Sequence, residues 1–447
     1  MIERVKSVVL AVLMLTSLLL TSLLWYSSPN AEELDRNNYI PQQAIGEPVE
    51  LEQLVLPRTL VFHSGTGRHA LVFADNQLYD RIVSSLHDWR VLQTKKRVVS
   101  KKEWERQLQH AQGWELRFPT SLPTSLFVNR LLPDLKNLEE QHWIDRIWIY
   151  RERGEMFALF ISDLENSVYE SKIVIESGDD FLWDPDGKML AVNPILSTET
   201  SARGEAPAIV NIQYFPVQPL VLPERQAALK SIELDHMKNL LFLDPSLVRA
   251  VTNHEDNTTI MQDGSRSVRY VKANRMLYYQ NYKKSVDSKS IATDLRQAIK
   301  FVNQNGAWMG DHFLVVGEGV ESAELANRYA FRALQHGLPV YDKKNKNRYD
   351  TLLTVESEGG QVLRYSRSLY YPSQKSDVTA NRTVTAGGDD LQHLMKNVDL
   401  RRVRDMFPAY EAVTKKGKGL LYVPGWRIQY IDGTEDWFSP PVKGKKG

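Results

Sequence analysis

The sequence predicts an α+β protein: a single N-terminal transmembrane helix followed by a multi-domain extracytoplasmic part with mainly antiparallel sheets. Three observations lead to this class. An uncharged apolar run begins at Ser7, alternating apolar and polar residues recur further along as in half-buried strands, and amphipathic segments of helical period lie between them. With 447 residues, 42% hydrophobic and 25% charged, the chain can form two or three domains.

The apolar run at residues 7–26 has the length of a membrane-spanning helix. At about 1.5 Å per residue it covers roughly 30 Å, the thickness of a bilayer's hydrocarbon core. The alternative is a cleaved signal peptide, which would carry a shorter apolar run and a small-x-small cleavage site. Residues 28–31 (SPNA) match such a site poorly, so the run is interpreted as a permanent anchor.

The charges around this run predict its orientation. Arg4 and Lys6 precede it, whereas acidic residues such as Glu32 and Glu33 follow it. Because basic residues stay on the cytoplasmic side of a membrane, residues 1–6 are expected in the cytoplasm. The predicted location is therefore the cell membrane, with a single pass and extracellular C-terminal domains.

Composition divides the remaining chain into a tether and three units. A stretch rich in Pro, Glu, Gln and Asn reads as a tether, and the polar residues 197–207 separate the first unit from the second. The predicted segments are a tether at 28–57, a first α+β domain at 58–200, a second β-rich domain at 205–285, a third α+β domain at 290–440 and a basic tail at 441–447.

Hydrophobic periodicity predicts the elements of these units in order. In the first, strands are expected at 58–62, 69–73, 114–118, 143–150, 155–161 and in a stretch ending at 175, with helices at 78–89, 101–111 and 125–135. In the second, a Pro-rich crossing at 216–223 follows a strand at 208–215, and a helix at 232–242 precedes strands at 258–262, 266–273 and 275–282. In the third, helices at 292–306 and 390–398 accompany strands at 312–321, 329–336, 351–357, 361–371, 418–424 and 426–432.

A weak internal repeat joins the second and third units. SVRYVKANRMLYY (267–279) and QVLRYSRSLYY (361–371) both place an Arg-Tyr pair in a β run. The pattern predicts similar positions for Arg269 and Arg364 and for Tyr270 and Tyr365, with the tyrosines facing inward because their rings pack while arginine keeps its charge in water. Two unrelated amphipathic strands remain the alternative.

Composition and motifs argue against nucleic-acid binding, the common hydrolase mechanisms and metal sites. The 56 basic and 55 acidic residues give a net charge of +1, which provides no field to attract nucleic acid. The chain has no cysteine, and no H-E-x-x-H, G-x-S-x-G or S-x-x-K motif occurs. His63 and His69 flank a glycine turn rather than a metal-ligand spacing. No catalytic residue, metal or cofactor is predicted.

Three further groups have simpler structural explanations. Asp184 and Asp186 open a calcium-loop pattern that Lys188 and Met189 break, and Gly317 with Gly319 lacks the rest of a phosphate loop. The pairs Glu103 with Glu105 and Glu139 with Glu140 resemble the solvated faces of helices.

Two segments resemble the YycH family of Gram-positive bacteria: ERVKSVVLAVLMLTSLLLTSLLWYSSPN (3–30) and LLFLDPSLVRAVTNHEDNTTIMQDGSRSVRYV (240–271). The resemblance implies three extracytoplasmic domains and a non-catalytic regulator of a WalK-type (YycG) sensor histidine kinase, in a two-component system that controls cell-wall metabolism. It also implies a YycI-like one-span partner in the membrane. The alternative is an extracytoplasmic cell-wall ligand-binding protein or a hydrolase without a recognisable motif.

The membrane helix is the predicted partner surface. Ser7 with Ala11, and Ser17 with Thr21, have the small-xxx-small spacing on which transmembrane helices pack closely. We expect at least the face of Ser17 and Thr21 to contact a helix of the kinase or of the YycI-like protein. In the alternative, such hydroxyls bond only to the carbonyl four residues earlier in their own helix.

Overall fold

The computed structural model describes residues 2–26, 45–127, 132, 135, 142–175, 189–197, 210–283, 291–316, 328–342, 351–415 and 419–438. The chain divides into two compact units, residues 1–43 and residues 44–447. The first unit contains the helix α1 (Ile2–Tyr26). The second unit contains two large sheets and the helices that cover them.

The first sheet is built from residues 59–216. Alternating apolar residues form its strands, and amphipathic stretches form the helices between them. The elements are α2 (Leu51–Leu54), β1 (Thr59–Ser64), β2 (His69–Phe73), α3 (Gln77–Ser85), β3 (Trp89–Arg97), α4 (Lys101–His110), β4 (Gln112–Pro123), α5 (Thr124–Phe127), β5 (Trp143–Glu152), β6 (Glu155–Ser162), β7 (Ser167–Ile175), β8 (Leu190–Ser197) and β9 (Asn211–Pro216).

The nine strands of this sheet are ordered β3-β7-β6-β5-β4-β1-β2-β8-β9. The helices α2 and α3 pack on one face, against residues such as Leu60 and Leu116. The helix α4 packs on the other face, where Trp104 stacks on Trp148. The central strands β1, β4 and β5 are therefore buried on both faces.

The second sheet is built from residues 220–438. Its elements are β10 (Leu220–Ser231), α6 (Leu234–Leu241), β11 (Arg249–Asn253), β12 (Thr258–Gln262), β13 (Arg266–Val271), β14 (Met276–Asn281), α7 (Ile291–Gln304), β15 (His312–Val316), β16 (Arg328–Gln335), β17 (Leu338–Asp342), β18 (Leu352–Glu358), β19 (Gln361–Ser368), β20 (Tyr370–Thr385), α8 (Gly388–Leu394), β21 (Val403–Lys415), β22 (Gly419–Tyr430) and β23 (Glu435–Phe438).

Fourteen strands form this sheet, along the path β11-β12-β13-β14-β19-β18-β16-β17-β21-β22-β10-β20, with β15 beside β16 and β23 beside β22. Among the described strands, β17 and β21 form the one parallel pair, and every other named pair is antiparallel. The predicted class, an α+β protein of mainly antiparallel sheets behind one N-terminal apolar helix, is confirmed.

One hydrophobic core joins the two sheets. It contains Leu116 and Ile147 from the first sheet, Leu277 and Tyr365 from the second, and the buried side of α7. Apolar residues of β9 pack separately with α8 and with β21 and β22. The sheets therefore share buried apolar surface, which favours a fixed position and orientation of one sheet against the other.

Several predicted elements have different bounds. The helix predicted at 78–89 ends at Ser85, and β3 begins at Trp89, which faces the core. The helix predicted at 125–135 is described only as α5. The two strands expected at 418–424 and 426–432 form the single strand β22, in which Gly425 has no side chain to collide with the ring of Trp437.

The Pro-rich crossing predicted at 216–223 is partly a strand. The strand β10 starts at Leu220 and contains Pro223, where the register with β20 shifts. A bulge tolerates proline because one residue there is left out of the hydrogen-bond ladder. The prediction failed because it treated proline as excluding a strand.

Part of the segment predicted as a tether at 28–57 belongs to the fold, and residues 28–44 lie outside the described residues. Residues 45–57 are packed against the folded body, with Leu51, Leu54 and Val55 buried. Strands of the second and third predicted domains share one sheet, since β14 pairs with β19 and β10 pairs with β20. The division into three domains stays a prediction, and the basic tail lies outside the described residues.

The predicted repeat falls on β13 and β19, which flank β14 on its two sides. Tyr365 is buried and Tyr270 is half-buried, whereas Arg269 and Arg364 are exposed. The inward tyrosine is thus confirmed for Tyr365 and in part for Tyr270. Duplication of the two units stays a prediction.

Candidate partner-binding site

The helix α1 carries the residues that the sequence assigns to partner binding. It is the one helix among the described residues that is long and apolar enough to cross a membrane. Its described side chains are exposed within the chain, as expected of a helix whose surroundings are lipid or other helices.

Ser17 and Thr21 lie one helical turn apart on the same face. The Thr21 hydroxyl donates to the Ser17 carbonyl oxygen at 2.8 Å, and Thr16 makes the same bond to Val12 at 2.7 Å. The threonine donors are therefore used within the helix, as in the alternative interpretation. No hydrogen bond joins the Ser17 hydroxyl to another described residue, so this donor remains available to a neighbouring helix.

Ser7 and Ala11 form the second pair, also one turn apart. Ten residues separate Ser7 from Ser17, which at about 100° per residue turns the second face by about 80° from the first. The helix thus brings each pair together but does not align all four residues on one straight stripe. Their contact with a partner stays a prediction.

A group of charged side chains lies between the two sheets and is here called the ionic cluster. It was missed by the sequence analysis. Its members come from the strands β4, β5 and β21, from the residue before β1 and from the residue after β6: Arg58, Glu115, Arg117, Asp145, Arg146, Asp163, Arg404 and Asp405. Asp163 is exposed, Arg404 and Asp405 are half-buried, and the other five are buried.

Glu115 lies at the centre of the cluster. Its carboxylate is 3.2 Å from the Arg117 guanidinium and 3.5 Å from that of Arg146, and it accepts a hydrogen bond from the Tyr214 hydroxyl. Glu115 is fully buried. A carboxylate in such a place is stable only with partners of this kind, because burial removes its hydration.

Asp405 connects this centre to the second sheet. Its carboxylate pairs with Arg58 and lies 3.4 Å from Arg117. Burial alone would raise the pKa of Asp405, but the two guanidinium groups outweigh it and hold the pKa below its ordinary value. Asp405 is thus ionised and fixed between two arginines.

Asp145 forms a second connection between the sheets. It accepts hydrogen bonds from Ser121, from the Asp163 amide at 2.7 Å and from Arg404 of β21 at 2.8 Å. Burial and the nearby Asp163 raise the pKa of Asp145, against the effect of Arg404. Asp163 is also 2.7 Å from the Arg146 guanidinium.

His63 and His69 face each other across the β1–β2 hairpin, with their Nδ1 atoms 2.9 Å apart. Gly65 and Gly67 of the connecting turn have φ of 72° and 73°, as the sequence predicted for a glycine turn. Burial lowers the pKa of both rings, and the positive charges of His69 and Arg117 add to the effect on His63. His63 stacks on Trp148 at 4.5 Å between ring centroids.

The charges of the ionic cluster are balanced and closely packed. Four arginines balance four carboxylates, and the cavity between them measures about 10 Å³, room for about one water molecule. No group of three or more His, Asp or Glu residues in the described part of the chain could hold a metal ion. The cluster therefore joins the two sheets and offers no space for a substrate.

The sequence contains charged residues within apolar strands, but hydrophobic periodicity alone does not show that they form the ionic cluster. WELRF and WIDRIWIY place charges inside strongly apolar strands, and alternation assigns such charges to a solvated face. The second face of β4 and β5 is covered by other elements, so Glu115, Arg117, Asp145 and Arg146 are buried instead. Only the three-dimensional packing shows which partners neutralise them.

The other candidate motifs are placed as follows. Glu103 is at the start of α4 and pairs with Arg97, while Glu105 is exposed on the same helix. The pairs Asp184 with Asp186, Gly317 with Gly319 and Glu139 with Glu140 lie outside the described residues.

Comparison with known proteins gives a consistent result. Residues 3–181 match the N-terminal domain of the YycH protein family, and residues 211–436 match its C-terminal domain. The two-component system WalR/WalK regulatory protein YycH of Bacillus subtilis (strain 168) is 21% identical over 435 residues, which cover 92% of this chain and 90% of that protein. The crystal structure of YycH from Bacillus subtilis matches with a TM-score of 0.68 and 19% identity, over 88% of this chain and 98% of the other.

Proposed function

The chain belongs to the YycH family, and on this premise we propose that it is a non-catalytic, membrane-anchored regulator of a WalK-type sensor histidine kinase. The observation that carries the proposal is the match of both family domains, which together span most of the chain. The regulatory role named for the Bacillus subtilis relative supports the same assignment. The target is a two-component system that controls cell-wall metabolism.

The proposed topology is a single pass with the short N-terminus in the cytoplasm. Basic residues precede the apolar run of α1 and acidic residues follow it, which favours this orientation. Residues 44–447 are then extracellular. The lack of cysteine is compatible with an oxidising exterior.

The proposed absence of catalysis is supported by the site itself. The buried histidines and carboxylates are engaged in ion pairs, hydrogen bonds and ring stacking inside the fold, and the cavity of about 10 Å³ beside the ionic cluster cannot admit a sugar or a peptide. A ligand-binding protein of the cell wall is the alternative, but two open hollows in the described part of the chain, one beside Phe157 and one beside Leu363, are lined mainly by polar and charged residues.

We propose that regulation works through α1, whose Ser17 and Thr21 face packs against a helix of the kinase or of a YycI-like one-span protein. Membrane helices gain little from apolar contact in lipid and associate through close packing and hydrogen bonds. The outward Ser17 donor and the small side chains one turn apart fit that requirement. The pair Ser7 and Ala11 provides a second contact near the cytoplasmic end.

Replacing both Ser17 and Thr21 by leucine tests this contact in the full-length protein. Insertion and folding should be retained, while co-purification with the kinase or the YycI-like protein falls about three- to tenfold, because bulky side chains separate the helices. The measurement is pull-down from detergent-solubilised membranes together with expression of a kinase-controlled gene.

Thr16→Leu is the matched control for this test. It removes the same type of hydroxyl bond within the helix but lies about 100° away from Ser17 around the axis, so binding should be unchanged. If a chain whose residues 7–24 are all leucine regulates the kinase normally, α1 is an anchor only and the contact lies in the soluble part.

A further inference from the structure

Residues 45–58, here called the strap, connect the membrane-proximal chain to the first strand of the fold. They contain only the one-turn helix α2, yet they are bound to the body at several places. These contacts involve residues that lie far apart in the sequence and chiefly in the second half of the chain.

The first contact, counted from the membrane side, is with Trp308. Glu47 and Trp308 exchange two backbone hydrogen bonds of 3.1 Å each, which is an isolated antiparallel bridge. Gly46 approaches Trp308 so closely that a Cβ would lie 2.2 Å from the Trp308 carbonyl oxygen. Only glycine fits without displacing one of the two backbones.

Asn303 at the end of α7 holds the next residues of the strap. Its amide nitrogen donates to the Val49 carbonyl oxygen at 2.9 Å, and its oxygen accepts from the Val49 amide at 3.1 Å. The same oxygen accepts from the Trp308 indole at 2.7 Å. The Asn303 side chain thus pairs with the Val49 backbone as a neighbouring strand would, and it also holds the Trp308 ring.

The turn that follows α7 is shaped for this contact. Gly306 has φ of 103°, and Ala307 has φ of 52°, a left-handed conformation that is unfavourable for a non-glycine residue. The turn presents the Trp308 backbone to Glu47. Ala307 and Trp308 are both buried, so packing maintains the unfavourable backbone.

The remaining strap residues continue the attachment. Leu51, Leu54 and Val55 are buried in the shared core, and the Pro57 carbonyl oxygen accepts a hydrogen bond from the buried Tyr79 hydroxyl. Arg58 then pairs with Asp405 and lies over the Phe407 ring at 3.6 Å. Along the chain, the strap thus contacts Trp308 and Asn303 before it reaches the first sheet.

We propose that the strap is a regulatory contact built into the fold: the protein regulates the kinase while residues 45–50 are docked on α7 and on the turn at residues 305–308, and release of these residues abolishes that regulation. This inference rests on the proposed function for its regulatory meaning. The docking of the strap on the folded body does not depend on the proposed function. Residues 45–50 of the same chain occupy the surface formed by Trp308 and Asn303.

Docking is tested by hydrogen exchange on the full-length protein in lipid nanodiscs. The Glu47 and Val49 amides should exchange about tenfold or more slowly than unstructured amides, because both are hydrogen-bonded. Asn303→Ala should accelerate both about tenfold, and Gly46→Val should do so by collision. Lys300→Ala, an exposed change on the same helix, is the matched control and should leave the rates unchanged.

The regulatory role of docking is tested in cells with the same variants. If the docked strap is needed for regulation, Asn303→Ala and Gly46→Val should each reduce kinase regulation at least several-fold while core amides stay protected and membrane levels match the wild type. Full regulation despite lost protection at residues 47 and 49 overturns this role. If the Glu47 and Val49 amides of the wild type are unprotected, the strap is not docked. If the wild-type chain has no effect on the kinase, the proposed function is wrong. In that case hydrogen exchange still shows whether the strap is docked.

Discussion

Asp405 illustrates how single residues hold the two sheets in place. It belongs to β21 of the second sheet, but its carboxylate pairs with Arg58 and Arg117, which belong to the first-sheet side. A buried ion pair adds little stability compared with apolar packing, yet breaking one is costly because it leaves an uncompensated charge. Asp405 therefore specifies how the sheets are arranged more than it adds to their stability.

Asp405→Asn should destabilise residues 44–447 by about 3 kcal/mol or more, since two buried guanidinium groups lose their shared counter-charge. Urea unfolding followed by tryptophan fluorescence measures the change. Asp432→Asn is the control, because Asp432 forms an exposed pair with Arg402, and exposed pairs contribute little. Equal stability of the two variants would contradict the joining role of the ionic cluster.

The buried histidines predict how stability depends on pH. Loss of hydration lowers the pKa of the buried His63 and His69 below the ordinary 6.5, and it lowers that of the half-buried His312 to about 4. Below pH 6.5 the unfolded chain therefore binds more protons than the folded chain, and the stability contributed by neutral histidines is lost as pH falls. We expect the free energy of unfolding to decrease from pH 7 to pH 5.

Urea titrations at several pH values between 5 and 7.5 measure this slope. His63→Phe keeps a ring against Trp148 but removes one titrating group, so the slope should become smaller. His110→Gln changes an exposed histidine and should leave the slope as it is. A stability that is constant or rises toward pH 5 would show that these rings are protonated in the folded protein.

At the scale of elements, β4 depends on a glycine to fit between its neighbours. Gly113 lies opposite His63 of β1 and Tyr150 of β5. A Cβ at this position would be 1.9 Å from the Ile149 carbonyl oxygen. No rotamer change can relieve that contact, because both partners are backbone atoms in the centre of the sheet.

Gly113→Ala should therefore destabilise the protein by about 2 to 4 kcal/mol, through displacement of β4 from β5. Gly154→Ala is a useful comparison: its φ is 81°, but nothing lies within 4 Å of the added Cβ, so the cost should be about 1 kcal/mol. Chemical denaturation measures the free energy of unfolding of both variants. If Gly154→Ala were the more destabilising change, β4 would pack less tightly around Gly113 than described.

The strand β10 shows why element boundaries depend on more than composition. Its three flanking or internal prolines predict a crossing, but the chain continues as a strand by shifting register near Pro223 and again near Leu229. The partner β20 is distant in sequence. A bulge that accommodates proline is visible only when the partner strand is known.

At the scale of the molecule, the shared core and the ionic cluster make residues 44–447 one body. Apolar residues of both sheets and of α7 pack together, and the charges of β4, β5 and β21 neutralise one another across the same boundary. The strap belongs to the same body, because Leu51, Leu54 and Val55 are buried in its core.

The N-terminal apolar helix, most of the strands, the α+β class and the family could be predicted from the sequence, because run length, periodicity and motif content are local properties of a chain. The sequence also indicated the face of Ser17 and Thr21 as a candidate contact, since helical spacing follows from residue numbers alone. The burial of Glu115, Arg117, Asp145 and Arg146 and the inclusion of residues 45–58 in the fold are seen only once distant elements pack together. The same is true of the parallel pairing of β17 with β21. Each of these depends on which distant element covers a face or an edge, and the pattern of a single strand contains no record of its partner.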